Sequence, residues 1–570
     1  MWFPVNAAVA LLFIHIISLP LLYYLTQYDK TLIITWDFYN TPSRPLSLRI
    51  LLDPNGITLL TTVIFISANV LIFTSIYIRD DPNIKRFVAL VLSFVFAICL
   101  LVILPNLVTL LLGWDGLGLT SYLLVLYYQT PNSQGAAILT AITNRLGDII
   151  ILFTIAWRLN THWLPLQPWS TPSHIMIATL LIVAAITKRA QFPFISWLPA
   201  AIAAPTPVSA LVHSSTLVTA GIFMLIRFYP ILRNIESLEF ILLFAAAVTA
   251  CLAGIAAIVE CDIKKVIALS TLSQLGTIIY SLAINIPQLA FFHLVTHALF
   301  KALLFIAAGT IIHYHNHGQD LRSVGLLNNT IPLVAAILIG ASIALCGAPF
   351  TAGFYSKDLI LEAQINQPIN FVLIIIFLTA TRLTAAYRTR FLINVLWAPR
   401  HSTPTALFQV TPDFFTIGPI LALVQGALFI GPVIYWTIVL PERETTLPLT
   451  LKLQAIFAIT IGILIGWWLS KPKPRSPSQL IKQPLLNHFL TSLGFTTPIN
   501  AQATSRPALK AGSKLQKNID GGWIEALGGQ GRLETLKKLT PKLSSATGKS
   551  LISNLLTFFL FIIILLLFWE

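Results

Sequence analysis

Apolar runs of about twenty residues recur along this chain, from Trp2 to Leu25, Ile57 to Ile78 and Phe87 to Leu104 through to Leu551 to Trp569. Roughly 20 apolar residues in a helix cross the hydrocarbon core of a bilayer. Inside lipid each backbone N–H and C=O must be satisfied within its own segment, which a helix does. The runs predict an all-α polytopic membrane protein of about 15–16 transmembrane helices. Composition agrees: 56% of the 570 residues are hydrophobic, only 10% are charged, and the mean hydropathy is +0.81. Trp2 to Leu25 has no basic leader and no small-residue cleavage pattern, and is expected to be a retained first span.

Two stretches break the pattern. Lys188 to Ser215 reads KRAQFPFISWLPAAIAAPTPVSALVHSS. Its prolines and its Lys188, Arg189 and His213 are incompatible with an uninterrupted lipid-facing helix. Cys346 to Asp358 repeats the logic, with an apolar half-helix, a Gly/Pro break and then Lys357. Two broken helices in different halves of a membrane chain point to inverted repeats with sites near the midplane. The expected organisation is residues 1–106 as N-terminal spans, 107–259 as a first half with its broken helix at 174–229, and 260–397 as a second half with its broken helix at 331–358. Further spans occupy 398–470, a polar connector and lateral amphipathic helix 471–550, and an anchor span 551–570. In the amphipathic tract Ile519, Trp523 and Leu527, then Leu533, Leu536, Leu539 and Leu543, recur every three or four residues among lysines.

Ionisable residues inside spans are expensive and mark functional paths. Asp115 is the single acid in the run Leu107 to Tyr128, and its burial requires a basic partner or protonation. Arg145 and Asp148, three apart, share a helix face and can pair. His293, His297 and Lys301 fall at steps of four and form one stripe. Lys264 and Lys265 follow Asp262 at a span boundary, where one reading is an interfacial loop and the other an inward bridge between two halves of a path. Asp115, Lys188, His213, His293, His297, Lys301 and Lys357 thus form the candidate chain of titratable groups, and Arg145, Asp148, Asp358 and Lys264 are candidate tuning or connecting residues. The spans Phe371 to Trp397, Ile417 to Ile438 and Leu449 to Leu469 read as scaffold.

Other chemistries lack their motifs. There is no dinucleotide glycine motif, no Walker loop and no Cys-x-x-Cys. His293 and His297 lie on the same side of one helix and cannot be trans ligands to one haem iron. The expectation is no metal and no cofactor in this chain. The net charge of +15 is assigned to loops that orient spans and meet anionic lipid, not to nucleic acid. Cys99, Cys251, Cys261 and Cys346 are expected to pack without a disulfide framework.

At Trp114-Asp115-Gly116, Asn144 to Asp148, Lys188 to Ser215 with its Pro-Thr-Pro-Val-Ser-Ala-Leu core, Asp262 to Lys265, His293 to Phe305 and Gly353 to Asp358, the sequence resembles chain 5 of NADH:ubiquinone oxidoreductase, respiratory complex I. The resemblance runs from about Asp53 to Leu392. It implies an antiporter-like, proton-translocating subunit at the distal end of the membrane arm, with redox chemistry elsewhere. By motif match, Asp115 stands for the family's paired acid, Glu in many relatives, and Lys188 for its broken-helix lysine. His213, His293, His297 and Lys301 would continue the axis, Lys357 with Asp358 would stand near its exit, and Arg145 with Asp148 would tune the entrance. Implied partners are protons, phospholipids including cardiolipin, and the other membrane-arm subunits, above all neighbouring antiporter-like ones. The implied location is the mitochondrial inner membrane, with the bacterial cytoplasmic membrane as the alternative. The same broken helices and lysines occur in stand-alone sodium/proton antiporter subunits, which is the second reading. The lateral tract and final anchor favour the first.

Overall fold

The computed structural model describes residues 2–40, 45–159, 173–233, 235–315, 317–368, 370–399, 413–439, 447–471, 484–496, 498–499, 504–547 and 551–567. Trp569, the end of the last apolar run, and much of the polar connector lie outside them. The chain forms two units, Met1–Thr497 and Pro498–Glu570. The boundary falls inside the expected connector, because a helix at Pro484–Thr491 precedes a turn whose Gly494 lies against Leu252 of the first unit.

The first unit opens with α1 (Trp2–Tyr28) and a hairpin of β1 (Leu32–Asn40) and β2 (Pro45–Leu52), antiparallel with Leu32 opposite Leu52. The hairpin fills the interval between the first two apolar runs. Its Ile, Thr, Trp, Phe and Tyr residues favour a pleated surface and are too few to span a membrane as a helix. Then come α2 (Pro54–Tyr77), α3 (Ile84–Ile103), α4 (Leu107–Val125), α5 (Pro131–Leu159) and α6 (Ser173–Lys188).

Helix α6 stops at Lys188. After the short α7 (Trp197–Ala201), the chain re-forms a helix as α8 (Thr206–Val208), a π-helical stretch Ser209–Thr216 and α9 (Leu217–Arg227). The short α10 (Tyr229–Leu232) leads to α11 (Glu236–Val259), α12 (Ile263–Ala283) and α13 (Pro287–Tyr314). The second interruption separates α15 (Pro332–Cys346), which follows α14 (Leu327–Thr330), from α16 (Ala352–Ile365). Gly347 ends α15 with φ +86, a left-handed conformation that glycine adopts without a Cβ penalty. Finally α17 (Phe371–Leu392), α18 (Phe414–Ile434), α19 (Leu449–Lys452) and α20 (Gln454–Ser470) complete the bundle.

Among the described residues 12 helices are long and apolar enough to cross a membrane, with shorter apolar helices at Ile175–Lys188, Pro332–Cys346 and Leu551–Leu567. The most apolar windows of α12 and α13 are 100% buried within the chain, against 11% for α1. A helix buried on all sides is the core of a bundle, so α12 and α13 form the central axis and α1 lies at the periphery.

The second unit has helices at Thr504–Leu515, Glu525–Leu527, Gly529–Thr547 and Leu551–Leu567. Gly528 separates the last two helices of the amphipathic tract, whereas Pro541 lies inside its helix. The Trp523, Leu527 and Leu536 side chains are exposed.

Candidate functional site: a row of buried ionisable groups

The candidate residues form several hydrogen-bonded groups around α12 and α13. On the α4–α5 side, Arg145 reaches Asp115 at 2.5 Å and Asp148 at 3.1 Å. The i,i+3 pairing of Arg145 and Asp148 is present as the spacing predicts, and the same guanidinium also holds Asp115.

This corrects one expectation. The Lys188 ammonium is not hydrogen-bonded to Asp115; its Nζ donates to the Trp114 carbonyl at 2.6 Å and lies 3.9 Å from the Trp114 ring centroid. Lys188 is the last residue of α6, so its long side chain reaches the neighbouring helix backbone, one residue away from the acid.

The helix break itself supplies the next acceptor. Pro205 has no N–H, and the Val208 and Ser209 amides bond to the Pro205 carbonyl. Lys264 Nζ donates to the Ala204 carbonyl at 3.3 Å. The two readings of the Lys264–Lys265 pair are thereby resolved: Lys264 turns inward and is buried, while Lys265 pairs with Asp262 at 2.9 Å. His213 is buried with its ring 6.4 Å from that of Trp197, and neither ring nitrogen has a hydrogen-bond partner among the described residues.

The stripe on α13 is the best-connected part. His293 Nδ1 pairs with Ser356 Oγ of α16 at 2.9 Å and its Nε2 with Gln274 Oε1 of α12 at 3.2 Å. His297, whose ring centroid is 6.3 Å from that of His293, has no nitrogen partner among the described residues. Lys301 Nζ donates to Ser270 Oγ at 2.5 Å, and Arg388 Nη2 of α17 donates to the same oxygen at 2.7 Å. Lys357 Nζ donates to Thr384 Oγ1 of α17 at 2.9 Å and approaches the Cys346 carbonyl at 3.5 Å, the last residue before the Gly347 turn. Close packing of the two half-helices requires Gly353, since a Cβ there would overlap the Ala344 carbonyl.

Asp358 does not pair with Lys357. Adjacent helical residues point about 100° apart, and Asp358 shares its face with Glu362, one turn on. One carboxylate oxygen of Asp358 is buried without a partner, and Glu362 is itself buried.

The scaffold reading of Phe371 to Trp397 is also corrected, because α17 supplies Thr384 and Arg388 to the row. Its arginines were the available signal, being unusual inside an apolar run. Gln274, Ser270 and Ser356 gave none, since hydroxyls and amides are common in spans of either kind. Arg189 is fully buried, and Nε, Nη1 and Nη2 all lack partners among the described residues. In the connection after α13, Arg322 hydrogen-bonds Asp320 at 2.6 Å, which holds the Asp320 carboxyl below its ordinary range.

Three family descriptions match the chain: NADH-ubiquinone oxidoreductase (complex I) chain 5 N-terminus over residues 38–88, NADH:quinone oxidoreductase/Mrp antiporter transmembrane region over 105–384, and NADH dehydrogenase subunit 5 C-terminus over 387–569. The NADH-ubiquinone oxidoreductase chain 5 of Lumbricus terrestris is 44% identical over 510 residues, 89% of this chain and 88% of the relative. The chain belongs to the complex I chain 5 family. Other relatives of the same name include that of Anopheles gambiae, 40% identical over 95% of this chain and 93% of its own. That of Pongo pygmaeus is 37% identical over 88% and 83%. A structure of the Mrp complex from Dietzia sp. DQ12-45-1b superposes with a TM-score of 0.71 at 24% identity, covering 99% of this chain and 62% of that one. That likeness is one of fold.

Proposed function

We propose that this chain translocates protons across the mitochondrial inner membrane as an antiporter-like subunit of NADH:ubiquinone oxidoreductase, and that it holds no cofactor of its own. The observation that supports this best is the hydrogen bonding of the buried lysines. Lys188, Lys264, Lys301 and Lys357 each donate to a carbonyl or hydroxyl oxygen, and among the described residues none is fixed in a carboxylate ion pair. Such a lysine can pass a proton to a neighbour and take up another, while His293 and His297 offer exchange sites between Lys301 and the Lys357 region.

In this reading Asp115, Arg145 and Asp148 set the field around Lys188. His213 and Lys264 connect the first break to the centre, and Lys357 and Asp358 lead out. Electrons never enter the chain; oxidation of NADH elsewhere in the assembly drives the movement. The exposed apolar face of the second unit is suited to dock on neighbouring membrane-arm subunits, and the cationic loops are suited to cardiolipin.

The test is proton uptake per NADH oxidised in vesicles holding the assembled enzyme. Lys188→Met is expected to abolish this chain's share and Asp115→Asn to weaken it. Unchanged stoichiometry in both variants would remove the relay. A sodium requirement for proton movement would favour the antiporter reading instead.

A further inference from the structure

Away from the buried row, Asp53, Asn55, Phe223, Arg227, Tyr229 and Gln288 surround a cavity of ≈ 260 Å³. By the same measure a single water needs only about 10–15 Å³. The cavity lies where α2 begins, α9 ends and α13 begins. Three spans reach their ends there, which is the depth of lipid headgroups.

An ion pair forms one wall. Arg227 Nη1 and Nη2 donate to the two Asp53 carboxylate oxygens at 2.7 Å each, and Nη2 also donates to the Val102 carbonyl at 3.2 Å. The guanidinium lies over the Phe223 ring, 4.9 Å from its centroid. Gly56 leaves room for the pair, since a Cβ there would come within 2.5 Å of Asp53 Oδ1 and 3.2 Å of Arg227 Nη2. Neither member is saturated. A guanidinium has five N–H donors and an ionised carboxylate about four acceptor positions, so the pair retains donors on one side and acceptors on the other.

We infer that this cavity binds the headgroup of an ethanolamine phospholipid, with the phosphate at Arg227 and the ammonium at Asp53. The wall is electrically neutral as a pair but dipolar, and a zwitterion matches both ends at once. An anionic headgroup would set its charge against Asp53 with no cation of its own to offset it. A choline headgroup has no N–H to donate to the carboxylate. Guanidinium recognition of phosphate oxygens through paired N–H groups is strong and directional. Asn55 and Gln288 add amide partners, and Ile226, Pro230 and Pro287 supply apolar lining beside them.

The test uses the assembled enzyme and a phosphatidylethanolamine carrying a photoreactive group next to its headgroup. In wild type, label is expected on peptides containing Ile226 to Pro230 or Pro287 to Gln288, and unlabelled phosphatidylethanolamine should compete it away. In the double variant Asp53→Asn/Arg227→Gln labelling should fall at least about tenfold, as the loss of a charge-assisted hydrogen bond implies. If that variant fails to assemble, Gln288→Ala, which leaves the ion pair intact, should still weaken labelling. Competition by free phosphoethanolamine as effective as by the lipid would assign the site to a soluble ligand and overturn the lipid assignment. Equal labelling by phosphatidylcholine, or none above phosphatidylglycerol, would overturn the headgroup assignment. No outcome depends on proton translocation, so the inference stands or falls apart from the proposed function.

Discussion

Replacing Arg189 by methionine should make the protein more stable. Arg189 follows Lys188 at the end of α6 and is 0% exposed, and all three of its guanidinium nitrogens lack hydrogen-bond partners among the described residues. Arginine cannot escape such a site by losing its proton. Exchanging a whole buried ion pair for apolar side chains of similar volume is often neutral or stabilising by about 1–4 kcal/mol, whereas removing one member of a pair is costly because it strands the other. With no partner among the described residues to strand, Arg189→Met is expected to gain about 3 kcal/mol. Methionine preserves the packing of the aliphatic stem, which passes close to Gly221: a Cβ there would lie 3.1 Å from Arg189 Cγ. A large membrane assembly does not unfold as two states, so the readout is local. Amide exchange across Val218 to Leu225 of α9, the helix facing Arg189, should slow by roughly a hundredfold if local opening carries the gain, at about 1.4 kcal/mol per decade. Faster exchange in Arg189→Met would refute the reasoning, because it would mean that the guanidinium makes an interaction worth more than its burial costs.

Other outcomes follow from individual contacts. Ser270→Ala removes the hydroxyl shared by Lys301 and Arg388 and should cost about 1.5–3 kcal/mol. Thermal inactivation of the assembled enzyme checks this, with Ser270→Thr restoring most of the loss. Gly353→Ala drives a methyl into the Ala344 carbonyl and should exceed the about 1–3 kcal/mol typical of overpacking, visible as loss of the assembled enzyme on a native gel. For Asp320, the Arg322 hydrogen bond lowers the folded-state carboxyl below its unfolded value. The folded form therefore binds fewer protons, and the contribution is complete above the ordinary Asp range, about 3.9, and disappears as pH falls through the folded value. Asp320→Asn should accordingly lower the thermal midpoint at pH 7 and make progressively less difference on acidification.

Much of the architecture was legible because its signals are physical necessities. Apolar runs fix spans, Pro and charge fix the breaks at Lys188 and Cys346, and a step of four fixes the stripe His293, His297 and Lys301. The Arg145–Asp148 pair followed from the same periodicity. What sequence could not supply was the identity of the acceptors. The Trp114 and Ala204 carbonyls that hold Lys188 and Lys264 are backbone groups, present at every position and distinguished only by geometry. The family resemblance made Asp115 the expected partner for Lys188, yet it is Arg145 that pairs with it. Thr384 and Arg388 were assigned to scaffold because α17 is apolar on average, and an average conceals which face meets α12.

The choice of acceptor bears on how a buried lysine can work. A carboxylate partner in a dry interior holds its lysine tightly, and breaking such a pair by removing one member costs about 3–5 kcal/mol. A carbonyl or hydroxyl partner contributes only about 0.5–1.5 kcal/mol net, or about 1.5–3 kcal/mol when the donor is charged. Lys188, Lys264, Lys301 and Lys357 all have the second kind of partner. Each acceptor for the first two is a main-chain oxygen, the Ala204 carbonyl at the helix break itself, while Ser270 and Thr384 serve the last two. A shift of α6 against α4, or of α16 against α17, would therefore exchange one modest hydrogen bond for another without separating an ion pair. In the proposed function the broken helices provide that freedom, and the pairings of Arg145 with Asp115 and Asp148, at the more exposed α4–α5 end of the row, supply the field against which Lys188 moves.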